Sequence, residues 1–321
     1  MSLRFTLRQL EYFVAVGEAG SVALAARHLN VSSPSISAAI AGLEDHFGVQ
    51  LFLRRHAHAL TLTQAGRQLI SEARAVLAAA EALNGAAADL GSEVAGPVAL
   101  GTLTSLAPLI LPALRRGFEA RHPRVRISQR ALDHAELLDG LQSGEIDLAL
   151  TYDLPMPPGL VFRPIARLAP MVMLPGDHPL AGRAEMDLTE LEGTPMVLLD
   201  LPHSSEYFHQ ILAERGISPP IAERTRDMAM LRSLVANGYG FSVVNVRTAQ
   251  DTGPDGKPLA FVPIRGPAPR LRLGLARSEA RPRRAVTAFA EHCAAHVAAE
   301  GLPGCVTGGN GSSPAAAQAE G

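Results

Sequence analysis

Three sets of side chains in this sequence have chemistry to offer. Thr104 and Ser105 follow a short apolar run and precede a helical pattern, so their hydroxyls, with the amides of a helix start, suit an anionic group such as a carboxylate. Ordinary helix capping is the competing reading. Ser204 and Ser205 stand likewise at a helix start after Pro202, with His203 beside them. His134 follows a second apolar run, either as a donor to a ligand acceptor or as a surface turn histidine. Tyr152 follows a third, where it walls a cleft or packs between lobes. The second set is the basic run Arg54, Arg55, His56 and His58, which suits phosphates. The third is the small-residue cluster Ser33, Pro34, Ser35 and Ala38, which allows a backbone to approach a partner surface closely.

No catalytic constellation accompanies them. The sequence has no GxSxG elbow, no GxxxxGK[ST] loop and no HExxH pair, and its histidines lack metal-ligand spacing. Ser, His and Asp occur, but types without spacing do not make a triad. A non-enzyme with no cofactor and no metal is expected.

The elements that must position these side chains follow from periodicity. Leu7, Leu10, Phe13, Val14 and Gly17 recur at helical spacing, and Ser21 caps a second helix facing inward through Val22, Ala25, Ala26 and Leu29. Ser33 is expected to cap a third helix with Pro34 at its first position and a buried stripe of Ile36, Ile40, Leu43 and Phe47. Val49–Leu53 and Ala59–Leu62 read as short strands around the basic run. Three helices and a hairpin make a winged helix-turn-helix, whose third helix opens where base edges would be met. Helical spacing alone leaves a dimerisation module open; the wing arginines favour nucleic acid.

From Gln64 to Leu90 an alanine-rich stretch without proline carries Ala65, Leu69, Val76, Leu77, Leu83 and Leu90 on one side. Such a rod must bury its stripe against a second copy of itself or against the domain that follows it. Beyond Pro97, strands and helices alternate in the manner of a parallel sheet with crossovers. Strands are expected at Val98–Thr102, Val125–Ala131, Asp147–Thr151, Ala169–Leu174, Met196–Asp200, Phe241–Asn245 and Arg270–Ala276. The intervening helices are Leu106–His122, Ala135–Ser143, Ser205–Arg215, Met228–Asn237 and a closing Arg283–Ala299. Two such lobes leave a cleft at the carboxyl ends of their strands, where open sheets bind ligands.

Composition bounds the rest. The 321 residues fit a small domain joined to a larger one, with 47% hydrophobic and 19% charged residues. Apolar runs fall far short of the roughly 18 residues of a membrane helix, and the opening residues lack a signal-peptide pattern, so a cytoplasmic protein with no membrane partner is expected. Two cysteines, Cys293 and Cys305, fit a reducing compartment and exclude a four-cysteine zinc site. The net charge of −2 lends nucleic-acid binding no support, so that reading rests on pattern.

The run LRQLEYFVAVGEAGSVALAARHLNVSSPSISAAIAGLEDHFGVQLFLRR followed by LTLTQAG resembles the head of LysR-type transcription regulators, and SGEIDLAL, LPGDHPLA and LVANGYGFSVVN resemble their sensor. The resemblance implies a winged helix-turn-helix over 1–62, a linker and dimerisation helix over 63–92, and an α/β effector domain over 93–300 similar to type 2 periplasmic binding proteins. In that domain 93–161 and 267–300 form lobe I and 162–266 lobe II; residues 301–321, rich in glycine, serine and alanine, are expected from composition to be a disordered tail. It also implies that Ser32, Ser33, Pro34, Ser35 and Ser37 lie at the DNA with Arg54 and Arg55 in the wing, and that Ser105 and His134 occupy effector positions. The implied partners are double-stranded operator DNA, a small-molecule effector, RNA polymerase, and one or three further copies of the chain. Ser33 and Ala38 stand where many relatives carry glutamine and a long polar residue, which shifts recognition toward DNA shape. An enzyme with a fused helix-turn-helix and a ligand-binding protein without DNA binding are the alternatives.

Overall fold

The computed structural model describes residues 4–54, 60–89, 93–202, 204–266 and 271–302. The head comprises α1 (Leu7–Ala19), α2 (Val22–Leu29), α3 (Ser33–Phe47) and a hairpin of β1 (Phe52–Arg54) with β2 (Leu60–Leu62), as its pattern predicted. Caps fix the helix ends. Thr6 and Gln9 form a reciprocal capping box on α1, and Asn30 ends α2 in the left-handed region at φ 53. Ser32, rather than Ser33, caps α3, because its Oγ accepts the Ser35 N–H. Pro34 is therefore the second helical residue, where its missing N–H still costs nothing. Leu10, Phe13, Val16, Ala25, Ala26, Ile36, Ile40 and Leu43 form one core with Leu51 and Ile70.

The linker helix α4 (Gln64–Asp89) spans 26 residues, about 39 Å. It starts hard against the wing: a Cβ on Gly66 would lie 2.2 Å from the Leu51 carbonyl oxygen, so only glycine fits there. The expected apolar stripe divides. Ile70 and Ala73 are buried in the head and Leu69 and Leu77 pack on its core, whereas Val76 and Leu83 stay exposed; Leu90 lies outside the described residues.

The sensor runs β3 (Gly96–Leu103), α5 (Ala107–Arg121), β4 (Val125–Leu132), α6 (His134–Ser143), β5 (Leu148–Tyr152), β6 (Leu160–Leu168), β7 (Met171–Pro175), β8 (Met196–Leu199), α7 (Ser204–Ala213), β9 (Ile221–Thr225), α8 (Met228–Ala236), β10 (Ser242–Val244), β11 (Leu259–Pro263), β12 (Leu271–Ser278) and α9 (Arg284–Glu300). The first lobe's sheet has the order β4-β3-β5-β12-β6, and the second lobe holds β10-β7-β11 and β8-β9. The sheets are mixed, not parallel as expected: β12 runs antiparallel to both β5 and β6, and β7 antiparallel to β10 and β11. Because β6 pairs with β12 as far as Leu168, the chain leaves the first lobe after that residue and not near 161. No helix among the described residues is long and apolar enough to cross a membrane.

Candidate nucleic-acid interface and effector cleft

The buried stripe Ile36, Ile40 and Leu43 turns the opposite side of α3 outward. Pro34, Ser35, Ser37 and Ala38 are exposed along its opening turns, with Ser33 half-buried. The exposed hydroxyls of Ser32 and Ser35 lie 2.7 Å apart and organise the cap. Beside them a concave surface is lined by Ala23, Ala26, Arg27, Asn30, Val31, Ser32 and Ser33. Arg27 thus brings an exposed guanidinium from the last turn of α2 to the start of α3. Sequence reasoning missed it, although a basic residue just before the helix-ending Asn30 was a usable signal.

Arg54 pairs with Leu60 in the hairpin, while Arg55, His56 and His58 lie outside the described residues, as does the side chain of Arg54. Glu44 anchors the wing root: its Oε1 accepts the Leu51 N–H at 2.7 Å and the Phe52 N–H at 3.3 Å. That carboxylate is therefore spent inward, away from a phosphate backbone.

Between the lobes lies a pocket of about 20 Å³ lined by Ser105, Tyr152, Leu199, Leu201, Phe208, Met228, Val244, Asn245, Val246 and Leu271. That is room for about one water, so the cleft is shut in this conformation. Ser105 and Tyr152 reach it from the first lobe. Leu106, with no side-chain hydrogen bond, is the cap of α5, so neither Thr104 nor Ser105 spends its hydroxyl on that helix end. Thr104 is exposed and outside the lining; its N–H donates to Leu132 O at 3.1 Å.

From the second lobe comes Asn245, which is 4% exposed. Its Nδ2 donates to the Tyr207 hydroxyl at 3.1 Å, and its Oδ1 has no hydrogen-bond partner among the described residues. A buried acceptor left without a donor costs roughly 1–3 kcal/mol, so this atom marks where a ligand donor or a water belongs. Burial raises the Tyr207 hydroxyl to about 12, against the pull of its Asn245 contact, so it stays protonated at neutral pH. Asn245 was missed by sequence reasoning, although a polar residue ending the apolar strand FSVVN was legible.

His134 is neither a cleft donor nor a surface histidine. It is 1% exposed, with Nδ1 2.9 Å from Thr151 Oγ1 and Nε2 3.4 Å from Pro155 O, so both ring nitrogens are engaged inside the first lobe. Ser205 is half-buried outside the pocket, and its carbonyl accepts from His209 Nδ1 at 2.7 Å. His203 and the Ser204 side chain lie outside the described residues. Cys293 is buried on α9, and burial pushes its thiol up to about 12; Cys305 falls outside the described residues.

Residues 7–67 match the family model described as bacterial regulatory helix-turn-helix protein, lysR family, and residues 91–298 match the LysR substrate binding domain. A hydrogen peroxide-inducible genes activator of Haemophilus influenzae is 27% identical over 272 residues, covering 84% of this chain and 89% of the relative. Among solved structures, HinK, a LysR family transcriptional regulator from Pseudomonas aeruginosa, is 35% identical with a TM-score of 0.63, covering 91% of this chain and 98% of that one. CbnR, solved as a full-length complex with its target DNA, shares the fold at 24% identity and a TM-score of 0.64, covering 90% of this chain and 98% of that one.

Proposed function

The chain belongs to the LysR family of DNA-binding transcription regulators, and from that premise we propose that it gates an interrupted inverted-repeat operator with a small metabolite held between its two sensor lobes. It is a regulator and not an enzyme. The observation that carries the effector reading is the buried Asn245 Oδ1, without a partner among the described residues, on a residue that lines an apolar pocket together with Ser105 and Tyr152. Such a pocket suits a mostly apolar molecule with one polar or anionic end. Since the pocket is shut, a ligand enters only by parting the lobes, and it shifts the regulator by its differential affinity for the two arrangements.

Operator binding is assigned to the exposed opening of α3, with Arg27 and the wing arginines at the phosphates. Val76, 42% exposed, and Leu83, 73% exposed, form the part of the linker stripe that awaits a second copy, and a two-fold pair would set two α3 helices on an inverted repeat. A tetramer on each operator, contact with RNA polymerase and a place in the cytoplasm belong to the same reading.

Hydrogen peroxide, the inducer in the Haemophilus relative's name, is not the signal proposed here. Peroxide chemistry at a cysteine runs through a thiolate, and the thiol of Cys293, the one cysteine among the described residues, is buried and stays protonated at neutral pH. The test is a thermal-shift panel of small aromatic and aliphatic carboxylates on the full chain. Active compounds are then retested with Ser105→Ala and Asn245→Ala and in a mobility-shift assay on the DNA upstream of the chain's own gene. A compound whose shift is lost in both variants supports the reading; a panel in which every active compound acts equally on wild type and both variants overturns it.

A further inference from the structure

Apart from the interlobe pocket of about 20 Å³, a recess of about 270 Å³ lies within the first lobe. It lies between the β5-β12-β6 side of the sheet and the first half of α9. Counted along β12, Leu271 borders the interlobe pocket and Leu275 this one, four residues apart, or about 13 Å at strand rise, with the residues between them lining neither. The two sites are therefore separate.

Its inner wall is apolar: Leu148, Leu275 and Val286 are almost fully buried, and Val161 and Ala290 flank them. An apolar recess of this size is a poor host for ordered water and a good one for an apolar ligand. At the rim stand Arg163, Arg277 and Glu291. Arg277 is oriented by its Nη1, which donates to Ser278 O at 2.7 Å and Ala280 O at 3.2 Å, whereas Arg163 is exposed. Two guanidiniums against one carboxylate leave the rim one positive charge in excess.

We infer that this recess is a second small-molecule site, taking an amphipathic monoanion whose apolar body enters toward Leu148 and Val286 and whose single carboxylate is met by Arg163. The assignment does not depend on the interlobe reading.

The test is calorimetric titration of the full chain with sodium octanoate, octan-1-ol and octylamine. Octanoate should bind saturably at one per chain, and the alcohol and amine at least about tenfold more weakly, since only the carboxylate gains a charge-assisted bond. Arg163→Gln, at an exposed position that leaves the fold intact, should weaken octanoate about tenfold while leaving octan-1-ol unchanged. Ala290→Phe should remove binding of both by filling the recess, and Ser105→Ala should leave both unchanged. Octanoate affinity untouched by Arg163→Gln and by Ala290→Phe overturns the site, as does octylamine binding as tightly as octanoate. Loss of octanoate binding in Ser105→Ala would move the ligand to the interlobe pocket and overturn it equally.

Discussion

Arg74 on the linker helix places Nη1 2.7 Å from Glu145 Oε1 of the sensor, while its Nη2 lies 2.9 Å from Glu18 Oε1 of the head. Glu145 also holds Arg130 of β4 at 2.6 Å through its other oxygen. One guanidinium thus joins head, linker and first lobe within a single chain. The contact is close-fitting as well as charged, since a Cβ on Gly144 would lie 2.8 Å from the Ala78 Cβ.

Arg74→Gln should loosen that junction. The side chain is 26% exposed, so the pair is worth about 1 kcal/mol, a factor of about five in the population of undocked chains. Limited proteolysis of the linker should quicken by about that factor, and high salt should produce the same effect in wild type. Equal proteolysis rates for variant and wild type would show that packing at Gly144 and Ala78 alone holds the junction.

At the DNA face, Arg27→Gln and Arg54→Gln should each weaken binding alike on operator and on random sequence and lower the salt slope by about one. Ser35→Ala, which loses a cap contact and no charge, should leave the slope as it was. A slope unchanged in Arg27→Gln would remove α2 from the phosphate contacts.

His134→Ala and Ser105→Ala should separate stability from sensing. His134 is buried against Thr151, so its removal should destabilise the fold by about 1–3 kcal/mol in denaturant unfolding, without altering the affinity of any cleft ligand. Ser105→Ala should do the reverse. A His134→Ala chain of wild-type stability with weakened cleft binding would return the histidine to the site.

Much of this was legible in the sequence because it is periodic or punctuated. The head helices show their apolar stripes and caps, and Ser105 stands at a strand end where open sheets bind ligands. What escaped lacks a local signature. Strand β6, LVFRPIARL, carries Pro164 and alternates poorly; it is tolerated because it is the sheet's edge, paired with β12 alone. Its antiparallel return is what makes the sheet mixed and shifts the lobe boundary past Leu168. His134 was misplaced because strand-end position says where a backbone goes, not which way a side chain turns. Asn245, Phe208 and Leu201 come together with Ser105 only through the packing of two lobes.

The pH dependence of stability should be governed on the alkaline side by two buried acids. Burial raises Cys293 from 9.0 to about 12 and Tyr207 from 10.0 to about 12. In both the folded state holds the proton that the unfolded chain releases, so between roughly pH 9 and 12 the unfolded state binds fewer protons and stability falls as pH rises. The stabilisation is complete below pH 9 and is lost through the folded values. Denaturant midpoints measured from pH 7 to 11 should therefore be flat to about pH 9 and then decline. Cys293→Ala should remove the part of the decline that begins near 9, at the cost of a lower midpoint at neutral pH from the small cavity left beside Val286 and Phe289. Tyr207→Phe should remove the part that begins near 10, and it leaves Asn245 without its remaining partner, so it should also change whatever binds in the cleft. If both variants decline as steeply as wild type, the two groups are not the source of the alkaline slope. The Cys293 thiol would then be accessible enough to ionise, and its exclusion from peroxide chemistry would fall with it.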